Sequence, residues 1–403
     1  MIKKILRIIF IKFIPVKKNR IVFTSYSGQY SDSPKCVFEK MVTINKKHEL
    51  VWLVSKKNIN KIPNGIKAID INSFKGIYYY GSASIIIDNN YGGKSVTLNG
   101  NKFKNKIVYN IERFFKKKRK QYVYTFWHGT PLKKMARDQI NLNITNFDCD
   151  NTTMILGNKY ILNIMDHLCF NKIKMKLMGT PRNDILFYND KNMINNMKKQ
   201  LQLPLDKKIV LFAPSFRTDS NNDKNVQRSG INQLKEINFD KLFKILHDKF
   251  GGEWIFICRF HHNVSKLVDW DQLEEKYGDK IINGNKYENM NDYLLCTDIL
   301  LSDVSSCLFD FMHTNRPSFI YFPDLNYYQE KERGLYYPLD KLPFPFAINF
   351  NQLIESIKKF DNSKFKRDIS ALKKEFGYVD KKNSSEIIAK YILEDCDKHE
   401  KNN

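Results

Sequence analysis

The chain has 403 residues, 42% of them apolar and 13% aromatic, which excludes bulk disorder and exceeds one ordinary core; two domains of roughly 150–200 residues fit. Lys and Arg total 67 against 43 Asp and Glu, a net charge of +24, so acidic company is implied (anionic lipid, nucleic acid or a polyanionic substrate) without a choice among them. Seven scattered cysteines, odd in number and without a CxxC pair, exclude a disulfide framework and a structural zinc site and point to a reducing compartment.

No apolar run approaches the ~20 residues needed to span a bilayer. Residues 1–14 read MIKKILRIIFIKFI and stop at Pro15. Ile2, Ile5, Leu6, Ile9 and Phe13 share one helical face, and Lys3, Lys4 and Arg7 group on the other. This predicts an amphipathic helix over residues 1–18 lying on an anionic membrane surface, aided by Lys17, Lys18 and Arg20. No small-residue cleavage site follows it, so it is not read as a secretory signal.

Residues 20–26 (RIVFTSY), 50–55 (LVWLVS), 84–88 (SIIID) and 122–126 (YVYTF) are short apolar runs expected to form strands, with a helix over residues 34–45. Residues 101–121, with FFKKKRK at 114–120, read as an exposed basic excursion. A second cycle starts near Lys207: a strand at 209–213 (IVLFA), a helix at 239–250, and strands at 254–258 (WIFIC), 299–302 and 318–322. A helix is expected from about Ser305, and an amphipathic helical tail from Phe350. Strands alternating with helices predict α/β layers with parallel sheets. The expected domains are 19–190 and 205–375, joined by a linker over residues 189–204, with a C-terminal helix and tail at 376–403. In such sheets ligands bind beyond the carboxyl ends of the strands.

Residues 126–138 read FWHGTPLKKMARD. His128 follows a strand, where substrates reach, and imidazole titrates near neutrality, which suits a general base. Gly129 permits close backbone approach, and Lys133 and Lys134 can meet phosphate. A lone histidine in this setting is more often structural. In RFHHNV (259–264), alternation sends Arg259 and His261 to one side, an arrangement suited to an anion or to a plain polar contact. In LSDVSSCLFDF (301–311) Asp303 turns the chain and Ser305 or Ser306 can cap the next helix, whose free N–H groups suit a phosphate. Arg333 and Gly334, Arg217 after LFAPSF, and Arg182 in GTPRND (179–184) are further cations and turns at strand-to-loop junctions. There is no Walker A motif, no G-x-G-x-x-G and no H-x-x-x-H pair.

Taken in order, FWHGTPLKKMARD, GTPRND, LFAPSFR, RFHH, LLSDVSSCLFDF and RP…D…ERGLY resemble the CDP-glycerol glycerophosphotransferase family of teichoic acid and capsule synthesis, over about residues 20–375. The resemblance implies an α/β fold of two Rossmann-like domains facing a cleft, similar to GT-B glycosyltransferases. It also implies a monotopic enzyme at the cytoplasmic face of the membrane. His128 matches the histidine of a W-H-G-T motif and would be the base for the acceptor hydroxyl. His261 matches a second family histidine that would contact the donor phosphates; His262 stands where the family has Pro, so both histidines stay candidates. Ser305 and Ser306 match a D-Y-S-S element, with Val304 in place of Tyr, and Arg333 and Gly334 match an R-G pair near the donor. Arg182, Arg217, Arg259 and Asp303 join them as expected substrate-binding residues.

The expected donor is CDP-glycerol or a related CDP-polyol, the expected acceptor a lipid-linked glycan, and the expected leaving group CMP. No tightly bound cofactor and no nucleic-acid partner are expected; Asp303 is the one place suggested for a divalent metal. Two other readings fit parts of the pattern: a GT-B transferase using a nucleotide sugar, and a non-enzymatic basic protein binding nucleic acid or membrane.

Overall fold

The computed structural model describes residues 13–26, 28–89, 121–135, 138, 151–168, 173–215, 217, 229–260, 262–332 and 334–401. The chain divides into two compact units. The first comprises Met1–His128, Thr145–Asp184 and Tyr378–Asn403; the second comprises Gly129–Ile144 and Ile185–Gly377. Residues 1–12 of the expected helix and 101–120 of the basic excursion lie outside the described residues. Lys17 and Lys18 instead open strand Lys17–Phe23, and Arg20, expected to aid the membrane contact, is buried and donates to Glu49 and Ser82. Among the described residues, no helix is long and apolar enough to cross a membrane.

The first unit holds a seven-stranded sheet of β1 (Lys17–Phe23), β2 (Glu49–Val54), β3 (Ala68–Asp70), β4 (Ala83–Asp88), β5 (Tyr122–Phe126), β6 (Thr152–Leu156) and β7 (Lys174–Leu177). Its order is β3-β2-β1-β4-β5-β6-β7, and every pair is parallel. Successive side chains of one strand serve opposite faces. Ile21 and Phe23 pack with Val37, Phe38 and Met41 of helix Asp32–Ile44 and with Ile388 and Ile392 of helix Ser384–Lys401. Val22 packs on the other side with Val51, Leu53 and Tyr79 and Tyr80 of helix Phe74–Ser82. Both faces are covered, which is why the central strands read as unbroken apolar runs. Each fully buried side chain of this kind contributes about 1.5–3 kcal/mol.

The C-terminal segment is built into this unit from Tyr378 onward and is not the separate tail expected from the sequence. Asp184 accepts the N–H groups of Ser384 and Ser385 at 3.0 and 2.9 Å, and also the Ser385 hydroxyl, so it caps helix Ser384–Lys401 from a distant segment. Burial raises its pKa, against the opposing effect of those hydrogen bonds. Gly179 has φ +104°, and a Cβ there would collide with the Ser384 side chain, so only glycine lets the two segments meet. The Tyr124 hydroxyl donates to Asp395 farther along the helix.

The second unit holds a six-stranded sheet of β8 (Lys208–Ala213), β9 (Trp254–Cys258), β10 (Ile281–Asn283), β11 (Ile299–Ser302), β12 (Ser318–Tyr321) and β13 (Phe346–Ala347). The order is β10-β9-β8-β11-β12-β13, again all parallel. Helix Phe239–Phe250 starts at Asn238, whose side chain accepts the Lys241 N–H, and stops at Gly251 with φ +69°. The residues read as a linker instead carry helix Lys191–Gln200, capped by Asp190 and packed on helix Met290–Cys296 of the same unit. The chain therefore crosses between units at Asp184 and Ile185, ahead of the expected place.

Both sheets reverse their winding at one point, between β1 and β4 and between β8 and β11, the place where open α/β sheets take ligands. The two units close that point alike. The Tyr26 N–H after β1 donates to the Asn89 side chain after β4 at 3.1 Å, and the Ser215 N–H after β8 donates to the Asp303 side chain after β11 at 2.9 Å.

Replacing Asp184 by alanine strands two helix N–H groups and a buried hydroxyl. We predict a loss of about 1–2 kcal/mol, seen as a lower thermal midpoint of the purified chain.

Candidate functional site

His128 extends from β5, which is held between β4 and β6. Trp127 before it is buried, and the two rings lie against each other, centroids 4.3 Å apart and planes tilted by 30°. Gly129 after it has φ +129°, a backbone state that side chains strongly disfavour. Arg182 Nη2 donates to the His128 carbonyl at 3.0 Å, while Arg182 Nη1 donates to Asp32 Oδ2 at 3.0 Å. Arg182 is only 6% exposed. Asp32 Oδ1 accepts the Ser33 N–H at 2.6 Å, and the Tyr26 hydroxyl donates to Oδ2 at 3.2 Å. Burial alone would raise the Asp32 pKa, but the Arg182 charge and these hydrogen bonds outweigh it and hold the carboxyl below the usual range.

The second unit answers with a different charge cluster. Arg217 Nη1 donates to Asp303 Oδ2 at 2.8 Å. Its Nε and Nη2 fork onto Asp324 Oδ2 and Oδ1, both at 2.9 Å. Gln233 Nε2 adds a bond to Asp324 Oδ1 at 3.0 Å, and the guanidinium lies over the rings of Phe322 and Tyr328. Burial opposes the Arg217 charge, yet the two carboxylates more than offset it and push its pKa above the ordinary arginine value. Asp303 is fully buried and its oxygens are taken up by Ser215 and Arg217.

Arg259, at the end of β9, is turned to the backbone. Its Nη1 donates to the carbonyls of Gly284 and Tyr287 at 2.7 and 2.6 Å, and its Nη2 to that of Glu288 at 2.7 Å. Burial lowers its pKa, partly opposed by Tyr293 and Asp292. Asn285 ties the same loop to Phe260 by two bonds, at 3.0 and 2.6 Å. Ser305 and Ser306 stand half-buried ahead of helix Cys307–Phe311. Ser306 occupies the cap position without a side-chain cap bond, and the Ser305 hydroxyl lies 3.5 Å from the Cys307 nitrogen.

The segment that follows His128 pairs with the segment around Gly334 inside the second unit. Lys133 and Leu335 form an antiparallel bridge, the Lys134 N–H donates to the Gly334 carbonyl at 2.9 Å, and the Tyr336 N–H donates to that of Leu132 at 2.8 Å. The Tyr336 hydroxyl donates to Asp138 at 2.6 Å and accepts the Met135 N–H at 3.1 Å. The Lys134 side chain lies against Gly334. His261 and Arg333 lie outside the described residues, as does the His262 side chain. Among the described residues, no three His, Cys, Asp or Glu side chains gather as a metal site.

The sequence-selected residues thus divide. Arg182 meets His128; Arg217 meets Asp303; Arg259 meets the backbone of residues 284–288 and no other selected residue among those described. Sequence reading missed Asp32, Asn89 and Tyr336 and gave no role to Asp324, although Asp324 is the acidic residue of the motif RP…D…ERGLY. Asp32 also sits in a readable signal, the turn-forming SDSP at residues 31–34.

The family model described as CDP-Glycerol:Poly(glycerophosphate) glycerophosphotransferase matches residues 6–394. The chain belongs to this family. It is 27% identical over 405 residues to a teichoic acid poly(glycerol phosphate) polymerase of Bacillus spizizenii, covering 95% of this chain and 94% of that protein. It is 29% identical over 364 residues to a teichoic acid glycerol-phosphate transferase of Staphylococcus aureus, covering 86% and 85%. It spans about half, 51% and 49%, of the length of the polymerases of Staphylococcus epidermidis and Bacillus subtilis. Among solved structures it matches the wall teichoic acid polymerase TagF soaked with CDPG, with a TM-score of 0.79 and 25% identity over 98% of this chain and 94% of that one. The glycerophosphotransferase therefore has the GT-B type of fold, two parallel-sheet α/β units, and is an enzyme.

For this glycerophosphotransferase we predict that Arg217→Gln, which leaves Asp303 and Asp324 without their cation, costs about 3–5 kcal/mol. Arg217→Lys recovers only part, because an ammonium cannot fork onto Asp324 while reaching Asp303. Urea denaturation of both variants checks this.

Proposed function

We propose that this enzyme transfers glycerol phosphate from CDP-glycerol to a hydroxyl of a lipid-linked glycan or polymer in teichoic acid synthesis, releasing CMP. The observation that carries the reading is the family match across residues 6–394, together with a histidine of the W-H-G-T motif held at a strand end by a buried arginine. In the reaction the acceptor oxygen attacks the distal phosphorus of the donor. His128 takes the acceptor proton as the new O–P bond forms, because a neutral hydroxyl is a poor nucleophile. The bond from that phosphorus to the bridging oxygen breaks, and CMP departs with the electron pair.

Charge gathers on the leaving phosphate, so donors directed there lower the barrier. In this reading His261, or His262 beside it, and Arg333 contact the donor phosphates, and the Ser305 and Ser306 hydroxyls assist. Gly334 shapes the loop that carries Arg333. Arg217, Asp303 and Arg259 act through the loops they hold, since their polar atoms are bonded within the protein. Arg182 acts on the His128 side. The enzyme works from the cytoplasmic face of the membrane as a peripheral protein, with residues 1–14 lying on anionic lipid. That placement raises the local concentration of a lipid-linked acceptor.

His128→Ala is expected to abolish CMP release from CDP-glycerol in the presence of acceptor while leaving donor binding, followed by calorimetry, nearly unchanged. Normal turnover by that variant removes the base assignment, and release of a nucleoside diphosphate from a nucleotide sugar by the unaltered enzyme removes the reaction class. Deleting residues 1–14 is expected to weaken vesicle binding more than turnover on a soluble acceptor analogue. Unchanged sedimentation with vesicles of phosphatidylglycerol contradicts the anchor.

A further inference from the structure

We propose that Asp32 is a positioning residue for the transfer reaction: acting through Arg182, it fixes the peptide that follows the His128 ring and so fixes where the imidazole stands. The inference rests on the reading of His128 as the base.

The geometry is a relay of three loops. Arg182 spends one arm of its guanidinium on Asp32 and the other on the His128 carbonyl, at 3.0 Å each. A fork shared in this way ties two separate segments, which a single ammonium could not do at the same two distances. Gly129, at φ +129°, is a permissive residue and would otherwise let the peptide after His128 turn. The Arg182 bond removes that freedom on one side of the histidine, and buried Trp127 removes it on the other.

Asp32 is itself held for this purpose. It has φ +63°, left-handed for a residue with a side chain, at the first position of helix Asp32–Ile44. Such a conformation is disfavoured for a residue with a side chain and persists where surrounding contacts over-determine it. The helix does not use Ser31 as a side-chain cap; the Ser31 hydroxyl is directed to Gln29 instead. Only Oδ1 of Asp32 is spent on the helix end, at the Ser33 N–H, and Oδ2 is turned to Arg182 and Tyr26. The carboxylate is thus kept ionised and buried beside a cation that holds the His128 backbone. A general base must lie within hydrogen-bond reach of the proton it takes, so a small displacement of this loop slows the chemical step without touching the donor.

The test uses the full chain, CDP-glycerol and a synthetic lipid-linked acceptor ending in glycerol phosphate, with CMP release as the readout. Asp32→Asn is expected to lower kcat by about 10- to 100-fold, with the KM for CDP-glycerol within about 2-fold of the parent. Arg182→Lys should behave alike, and Asp32→Glu, which restores the charge, should recover part of the rate. Asp184→Ala serves as the stability control: it should lower the melting temperature yet leave kcat unchanged below that temperature. If Asp32→Asn does not fold, Arg182→Lys and Asp32→Glu carry the comparison. Full kcat in Asp32→Asn overturns the inference, and does so alone when His128→Ala is inactive. A raised donor KM at unchanged kcat overturns it by making the pair a donor contact. An equal loss of kcat in Asp184→Ala overturns it by reducing the effect to stability. Turnover by His128→Ala overturns the base reading itself.

Discussion

A buried arginine cannot give up its proton, so the chain must bring oxygen atoms to it, and that requirement organises both units. In the first, Arg182 gathers the carboxylate of Asp32 and the carbonyl of His128. In the second, Arg217 gathers Asp303 and Asp324, and Arg259 gathers three backbone carbonyls from residues 284–288. Each guanidinium sits at the carboxyl end of a strand or in the loop beyond, where a parallel sheet leaves its connections most variable. A desolvated cation with directional donors turns those connections into defined geometry. Removing one partner leaves an uncompensated charge, which makes the arrangement all-or-none.

The two units solve the same problem at their winding reversals with different chemistry. Asn89 joins the loop after β1 through neutral hydrogen bonds, whereas Asp303 joins the loop after β8 and also takes an arginine. The charged version brings a cation into the unit proposed to hold the CDP donor, but both Arg217 and Asp303 are fully buried and turned on each other. Their contribution to a ligand is then the shape of the loops. The neutral version lies in the unit that carries the histidine proposed to handle an uncharged acceptor hydroxyl.

Much of the sheet framework was legible because strands covered on both faces are written as continuous apolar runs. Residues 122–126, 254–258 and 299–302 were located to the residue. Strands Ala68–Asp70, Lys174–Leu177 and Phe346–Ala347 were not, since they are short and lie at sheet edges, where one side is unpaired and the apolar signal thins. Helix Lys191–Gln200 was hidden by its polarity: its six lysines and asparagines outnumber Met193, Ile194 and Met197, which are only half-buried, and so it resembled a linker. The allotment of Tyr378–Asn403 to the first unit depends on Asp184, 200 positions upstream. The site was legible as a set of motifs and illegible as a set of partners. Arg182 finds Asp32 across 150 positions and Arg217 finds Asp324 across 107, separations at which local pattern carries no information.

The central claim is that His128, steadied by Arg182, serves the transfer of a whole polyol phosphate and not of a sugar. Mass spectrometry of a defined lipid-linked acceptor after incubation with CDP-glycerol tests it most directly. The acceptor should gain glycerol phosphate units, one CMP appearing for each. An acceptor that stays unchanged with CDP-glycerol but gains a sugar from a nucleotide sugar would contradict it.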